Sequence, residues 1–316
     1  MESMVETVLG PVPAERLGRT LMHEHLQIAA PGWQFDTLEP PMPFAELVRR
    51  CVDHVEELKA AGFASLVDPC PIDMGRDVEL MREVASRTGF NIICSTGFYH
   101  GEVGAAAHWR VRLAVDPDAR RRIADLLIRE LTEGIGETGV RPGVIKVATG
   151  RIVTGFEEAM LDAAAMASLS TATPVTTHTE AVHGELQVDT MAAHGVDPAR
   201  IVVGHCCGSN DFAYHSAILD RGAYIGFDRF GMEETNSDEQ RVASLARLLD
   251  AGRGDRIVVS HDCVICFRGL EDLRPPREPR MLRFSQMIVP MLRERGFDDA
   301  HIEQILRDNP RRFFGG

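Results

Sequence analysis

An α/β fold, specifically a (β/α)8 TIM barrel with a short N-terminal extension, is what this sequence predicts, and three observations carry that reading. Eight short β-branched runs alternate with eight stretches of helical rhythm across the 316 residues. The runs are continuously apolar, as strands covered on both faces should be. No glycine-rich turn follows the first run, where IAAPGWQFDTLEPP stands instead, so a doubly wound dinucleotide fold is disfavoured.

The predicted strands are HEHLQI (23–28), FASLVDP (63–69), FNIICSTG (90–97), GVIKVATG (143–150), PVTTHTE (174–180), RIVVGH (200–205), AYIGFD (223–228) and RIVVSHD (256–262). Segment 1–20 is expected to lie against the barrel as an extension. The predicted helices cover 43–62, 77–89, 119–134, 155–170, 186–197, 214–222, 239–252 and 283–296, with Pro290 expected to kink or break the last. The tail at 301–316 reads as a short helix ending at Pro310, followed by an apolar plug of Phe313 and Phe314. One barrel domain over 1–316 is the expected organisation.

Composition excludes several function classes. Hydrophobic residues make up 44%, enough for a large core, and 34 basic against 47 acidic residues leave a net charge of −13. That balance lacks the footprint of a nucleic-acid binder. No run approaches the roughly 18 apolar residues of a membrane span. The first residues lack a basic head and a long apolar run, and the seven cysteines do not suggest a disulfide framework, so a cytoplasmic protein is expected.

In a barrel the C-terminal strand ends form the active face. Reading each run to its end yields His23, His25, Lys146, His178, His205, Asp228, Arg229, His261 and Asp262. Side chains alternate along a strand, so His23 and His25 point together and Glu24 points away. With His178, His205 and Asp262 they offer four imidazoles and a carboxylate. That is too many ligands for one open tetrahedral site and suits two metals. Lys146, within VIKVAT on a buried strand, conflicts with this unless its positive charge is removed.

These pieces together resemble the phosphotriesterase family of the amidohydrolase superfamily, in its phosphotriesterase-like lactonase branch. The matching runs are TLMHEHL, GVIKVATG, THTE, VGHCCGSND and VVSHD, in order along nearly the whole chain. The resemblance implies two divalent ions, zinc first and cobalt, manganese or iron as alternatives. His23, His25 and Asp262 would hold the more buried ion, and His178 and His205 the more exposed one. Lys146, carboxylated on its amine, would bridge them beside a hydroxide. It implies hydrolysis of lactones, N-acyl homoserine lactones or related γ- and δ-lactones as in quorum-signal degradation, with weak promiscuous phosphotriesterase activity. Aryl-dialkyl phosphotriester hydrolysis is the alternative, and a non-catalytic metal-binding barrel the alternative of another class. A homodimer is expected on the same basis.

Within that reading Asp262 is expected to shuttle the proton. Tyr99 would orient the lactone or touch the hydroxide, and Arg229 would position the leaving side. Segment 263–281 is expected to be a lid, with Cys263, Val264, Ile265, Cys266 and Phe267 as an apolar wall and Trp33 beside it. Gly208 stands where relatives often carry a relay aspartate, with Asn210 and Asp211 nearby. Cys206 and Cys207 are read as packing residues facing opposite ways on a strand. A cysteine-based hydrolase would have only His261 beside Cys263 as its pair. His54, His108, His183, His194, His215 and His301 are expected at the surface or in caps, and His100 in solvent.

Overall fold

The computed structural model describes residues 3–38, 40–104, 107–270 and 280–316. Its strands are β1 (Met4–Thr7), β2 (Gly10–Pro13), β3 (Arg19–Leu21), β4 (His25–Ala29), β5 (Phe63–Asp68), β6 (Asn91–Gly97), β7 (Val144–Ala148), β8 (Val175–His178), β9 (Ile201–Val203), β10 (Tyr224–Phe227), β11 (Ile257–Val259) and β12 (Val264–Arg268). Eight of them form one parallel sheet in the order β11-β10-β9-β8-β7-β6-β5-β3. The sheet curls until Met22 N–H donates to the Val259 carbonyl at 3.2 Å, which joins β11 to the end of β3. This is the predicted (β/α)8 barrel. β1 and β2 form the N-terminal hairpin outside it.

The first barrel strand is a correction. It is β3, inside the segment expected to be extension, and not HEHLQI. The chain leaves the barrel after Leu21, bends through His23 and Glu24, and re-forms as β4 beside the equally displaced β12. A second parallel ladder, His25 against Val264 through Ala29 against Arg268, thus stands above the barrel mouth. A continuous apolar reading cannot see this break, because both pieces are buried. The same ladder corrects the expected lid: 264–268 is strand, and 271–279 lie outside the described residues.

Helices α1 (Phe44–Ala60), α2 (Val78–Thr88), α3 (Ala107–Val115), α4 (Ala119–Glu133), α5 (Gly155–Thr171), α6 (Gly184–Ala193), α7 (Phe212–Asp220) and α8 (Asp238–Asp250) link the strands. In α1 the buried residues are Leu47, Val48, Cys51, Val55 and Leu58, one stripe at helical spacing. α3 was not predicted; it buries no side chain and so carries no apolar rhythm. Pro290 falls where a wide π turn, Phe284–Ile288, gives way to the helix Val289–Glu294. Pro310 does not end the tail helix as expected. It sits in the first turn of Asn309–Gly315, where its missing N–H is harmless. Phe313 and Phe314 are buried with Val5, Leu17, Val144, Val202, Tyr224 and Val258, and plug the bottom of the barrel.

Candidate metal centre

The expected site residues meet at the top of the barrel. His23 and His25 have ring centroids 5.3 Å apart, His23 and His205 4.7 Å, and His205 and His178 4.5 Å. Asp262 Oδ1 lies 3.3 Å from His25 Nε2 and 3.6 Å from His23 Nε2, and its Oδ2 lies 3.8 Å from His205 Nε2. Lys146 Nζ, on buried β7, is 3.2 Å from His23 Nε2. Its neighbour Gly97 is obligatory: at φ +126°, a Cβ there would stand 1.8 Å from the Lys146 carbonyl oxygen.

Behind each imidazole stands a carboxylate; the sequence reading singled out Asp228 without this role and missed Asp68 and Glu180. Asp68, at the end of β5, lies 3.3 Å from His25 Nδ1 and accepts from the backbone N–H groups of Leu26 and Cys70. Asp228 Oδ1 accepts from both the backbone N–H and Nδ1 of His205 at 2.9 Å, and its Oδ2 is 3.4 Å from His23 Nδ1. Gly226 leaves room for it, since a Cβ there would approach the Asp228 carboxylate to 2.4 Å. Glu180 Oε1 is 3.0 Å from His178 Nε2. A carboxylate on one ring nitrogen leaves the other nitrogen unprotonated for a metal. Three imidazoles therefore offer Nε2, while His178 offers Nδ1, which is also 3.3 Å from the Tyr99 hydroxyl.

Burial and these contacts set the charge states. Desolvation, then the Lys146 ammonium, lowers His23 to about 3. His178 falls well below its ordinary value through desolvation and the charge of His205, and desolvation also lowers His205. Burial pushes His25 down, but hydrogen bonds to Asp262 and Asp68 outweigh it and raise it well above. Burial works against ionised Asp262 and Asp228, yet the surrounding imidazoles hold both carboxyls below their usual range, with Arg229 adding to the effect on Asp262. Desolvation brings Lys146 down to about 8 against the pull of Asp262 and Asp228. Burial pushes the Tyr99 phenol up, so it remains a neutral donor.

This donor set fits divalent cations. His23, His25 and Asp262 place one ligand atom each within 4.8 Å of one another, as do His23, His205 and Asp228. The first group is the one expected for the more buried ion. All five residues are buried, mostly neutral imidazole and ionised carboxylate, which is the chemistry that zinc-like ions take.

The remaining expectations divide. Arg229 Nε donates to Asp262 Oδ2 at 3.0 Å. His261 is at a strand end but faces away: Nδ1 meets Glu24 at 2.6 Å and Nε2 accepts from Phe284 N–H at 3.0 Å. With both nitrogens engaged it cannot activate a thiol, which removes the Cys263–His261 pair. Glu24 also accepts from the Ser260 hydroxyl and the Cys263 N–H, so it ties the end of β11 to the His23–His25 bend. Cys206 and Cys207 are buried and burial raises both thiols, Cys207 to about 11, as packing residues require. They lie in a 3₁₀ turn, Cys206–Gly208, and not on a strand, so facing alternation does not apply. Asn210 pairs with Asn236 and Asp211 caps α7, so neither replaces a relay aspartate. Ile265 joins the main core, and Cys263 and Phe267 are half-buried. Trp33 lies 5.1 Å under the Arg268 guanidinium. Two histidines correct the surface reading. His215 is buried with Nε2 2.9 Å from the Cys206 carbonyl oxygen, and His100 is buried against Tyr99. His183 and His194 sit in the caps of α6 as expected.

Comparisons with known proteins agree with this geometry. A profile of the Phosphotriesterase family matches residues 3–314. The "Phosphotriesterase homology protein" of Mycobacterium tuberculosis is 33% identical, covering 98% of this chain and 97% of its own. The solved "Organophosphorus Hydrolase from Deinococcus radiodurans" is 37% identical at a TM-score of 0.93, covering 99% and 97% of the two chains. A second solved structure, 36% identical at a TM-score of 0.93 and covering 99% and 100%, is described as molecular engineering of organophosphate hydrolysis activity from a weak promiscuous lactonase template. With a family profile over nearly its whole length and buried clusters of imidazoles and carboxylates able to hold metal, the chain belongs to the phosphotriesterase family of the amidohydrolase superfamily, in its phosphotriesterase-like lactonase branch, and is a metal-dependent hydrolase.

Proposed function

We propose that the chain hydrolyses esters with a strongly electrophilic centre, and that aryl-dialkyl phosphotriesters are its first substrate class. The observation that carries the order is the organophosphorus hydrolase at 37% identity over nearly the entire chain. The sequence reading ranked lactones first, and the names of the relatives favour the reverse. Lactone hydrolysis stands as the second reading. It is favoured by the Tyr99 hydroxyl on His178 and Arg229 on Asp262, and by the lactonase parent of the engineered relative.

In this proposal His23, His25 and Asp262 would hold one ion and His178 and His205 the other, and a carboxylated Lys146 would complete both sets. Two divalent ions, zinc first, would when bound lower the pKa of a water and polarise the substrate oxygen. Lys146 enters as an anion: its neutral amine adds carbon dioxide to give a carbamate and releases one proton. A folded-state value of about 8 leaves roughly half the amines neutral at pH 8, against well under 1% for a free lysine. Asp262 accepts the proton of the attacking water and returns it to the leaving alkoxide or aryloxide. Arg229 holds Oδ2, which fixes the direction of that transfer. Tyr99 donates from its neutral hydroxyl towards the substrate. Cys263, Ile265, Phe267 and Trp33 form the wall against its organic part.

The deciding experiment measures kcat/KM of the metal-loaded protein on paraoxon, γ- and δ-lactones and long-chain N-acyl homoserine lactones. Paraoxon leading the series is the expected result. A lactone leading by tenfold or more overturns the order and establishes the second reading. Full occupancy with no turnover of any member overturns both.

A further inference from the structure

The opposite end of the barrel carries a cavity that the hydrolytic site does not use. Its volume is about 480 Å³, within the range of small-molecule sites. Gly143, Pro174 and Arg200 line it, and each immediately precedes a barrel strand, β7, β8 and β9. It is therefore at the strand starts, with the whole barrel between it and the histidines.

Two cations face this space in a chain of net charge −13. Arg141 is held at the rim by Glu6 at 2.5 Å. Arg200 is different. Among the described residues no carboxylate is within ion-pair distance of it, and its side chain makes one hydrogen bond, from Nη2 to the Ala172 carbonyl oxygen. That bond closes the C-terminal end of α5, a sufficient structural role for one edge of the guanidinium. Among the described residues Nε is buried without a partner. A buried donor without an acceptor is unfavourable and rare in folded proteins. Desolvation lowers the Arg200 pKa with only Asp197 opposing it, so the cation lacks a counter-charge of its own. The Ser170 hydroxyl stands in the same lining, and Leu131, Pro174 and Phe314 supply an apolar floor.

We propose that this cavity binds a small amphipathic anion, with its carboxylate or phosphate head on Arg200 and its short apolar body against Leu131 and Pro174. The Arg200 guanidinium, which lines the cavity, supplies N–H donors of the kind that such heads accept. The apolar floor selects an organic anion over an inorganic one.

Hexanoate is the probe, with inorganic phosphate as the second arm, and equilibrium binding to metal-loaded protein at constant chloride is the measurement. One hexanoate per chain is expected, at least tenfold weaker in Arg200→Gln and partly restored in Arg200→Lys. Circular dichroism establishes that the variants are folded. If Arg200→Gln does not fold, Arg141→Gln replaces it, with a threefold loss expected. Paraoxon hydrolysis run alongside separates the two ends of the barrel. An anion lodged on the metals inhibits wild type and Arg200→Gln alike, and its binding survives the substitution. Absence of saturable binding, or binding unchanged by the Arg200 or Arg141 substitution, overturns the proposal. Phosphate bound as tightly as hexanoate overturns the role of the apolar floor.

Discussion

Replacing Asp228 with asparagine isolates the contribution of a carboxylate that touches no substrate. The change is nearly isosteric, so packing against Gly226 is kept. Asp228 Oδ1 takes two donors from His205 at 2.9 Å, and the asparagine carbonyl can keep that place. The amide NH2 then faces His23 Nδ1 across the 3.4 Å now spanned by Oδ2. A donor there requires Nδ1 to accept, which moves the imidazole proton to Nε2, the nitrogen directed at Asp262 and Lys146. His23 is thereby left in the tautomer that cannot ligate. Loss of such an outer partner lowers metal affinity by about 10–100-fold, or about 1.4–2.7 kcal/mol. The loss should fall on the ion held by His23, His25 and Asp262, while the ion on His178 and His205 is released at nearly the wild-type chelator concentration. Metal per chain, measured by mass spectrometry after dialysis against graded chelator, reads the two releases separately. Two release curves superimposable on wild type, with unchanged turnover, would refute the tautomer argument.

Lys146 makes the metal-free protein gain stability as pH rises. Its folded value of about 8 lies below the unfolded 10.5, so the unfolded state binds more protons between those values. The penalty is complete below pH 8 and fades by pH 10.5, a gain of about 3 kcal/mol relative to Lys146→Met in urea unfolding; parallel profiles for the two proteins would contradict it. Tyr99→Phe should keep both ions and lose roughly tenfold in kcat/KM, since a neutral hydroxyl 3.3 Å from His178 Nδ1 is removed; metal content and kinetics are measured on the same sample. Glu24→Gln should destabilise the fold by about 3 kcal/mol, because a fully buried carboxylate with four hydrogen bonds joins the His23–His25 bend to β11. A loss under about 1 kcal/mol in urea unfolding would show that those bonds are replaceable.

The candidate ligands were legible in the sequence because they are histidines, an aspartate and a lysine gathered in or at the ends of short β-branched runs, a pattern that needs no partner to be noticed. Their supports were not. Asp68 ends β5, Glu24 lies inside the H-E-H motif and Glu180 sits two residues past His178. None shows its partner until the barrel brings it against an imidazole from elsewhere or folds it back. The alternation argument for His23 and His25 reached the right convergence through the wrong element. The two residues flank a bend between β3 and β4, and Glu24 turns away because four donors from the β11 end attract it, not because of a pleat. β12 was read as lid for a related reason: its pairing with β4 is a contact between residues more than two hundred positions apart. His100 was misplaced because it follows β6 in a loop that only tertiary packing covers, and His215 because its polar ring disguised its place on the buried face of α7 beside Ile218 and Leu219.

One device recurs at three places in this site. Asp68 takes Leu26 N–H, Cys70 N–H and His25 Nδ1; Asp228 takes His205 N–H and Nδ1; Glu24 takes His261 N–H and Nδ1. Each carboxylate holds an imidazole and the backbone of a strand-end segment together, so ring orientation and chain path are fixed by the same group. The path needs that help. His205 at φ +60° and Asp262 at φ +52° are non-glycine residues in the left-handed region, each unfavourable by about 1 kcal/mol or more. The Asp228 bond to the His205 N–H and the 3.0 Å bond from Asp262 N–H to the His23 carbonyl hold those turns in place. Ligand geometry is thus built into the way the barrel ends its strands, and a change in any one carboxylate alters a backbone turn as well as a tautomer. Glycine at 205 or 262 would relieve the backbone but remove a ligand, which is why these two turns are left strained and braced from behind.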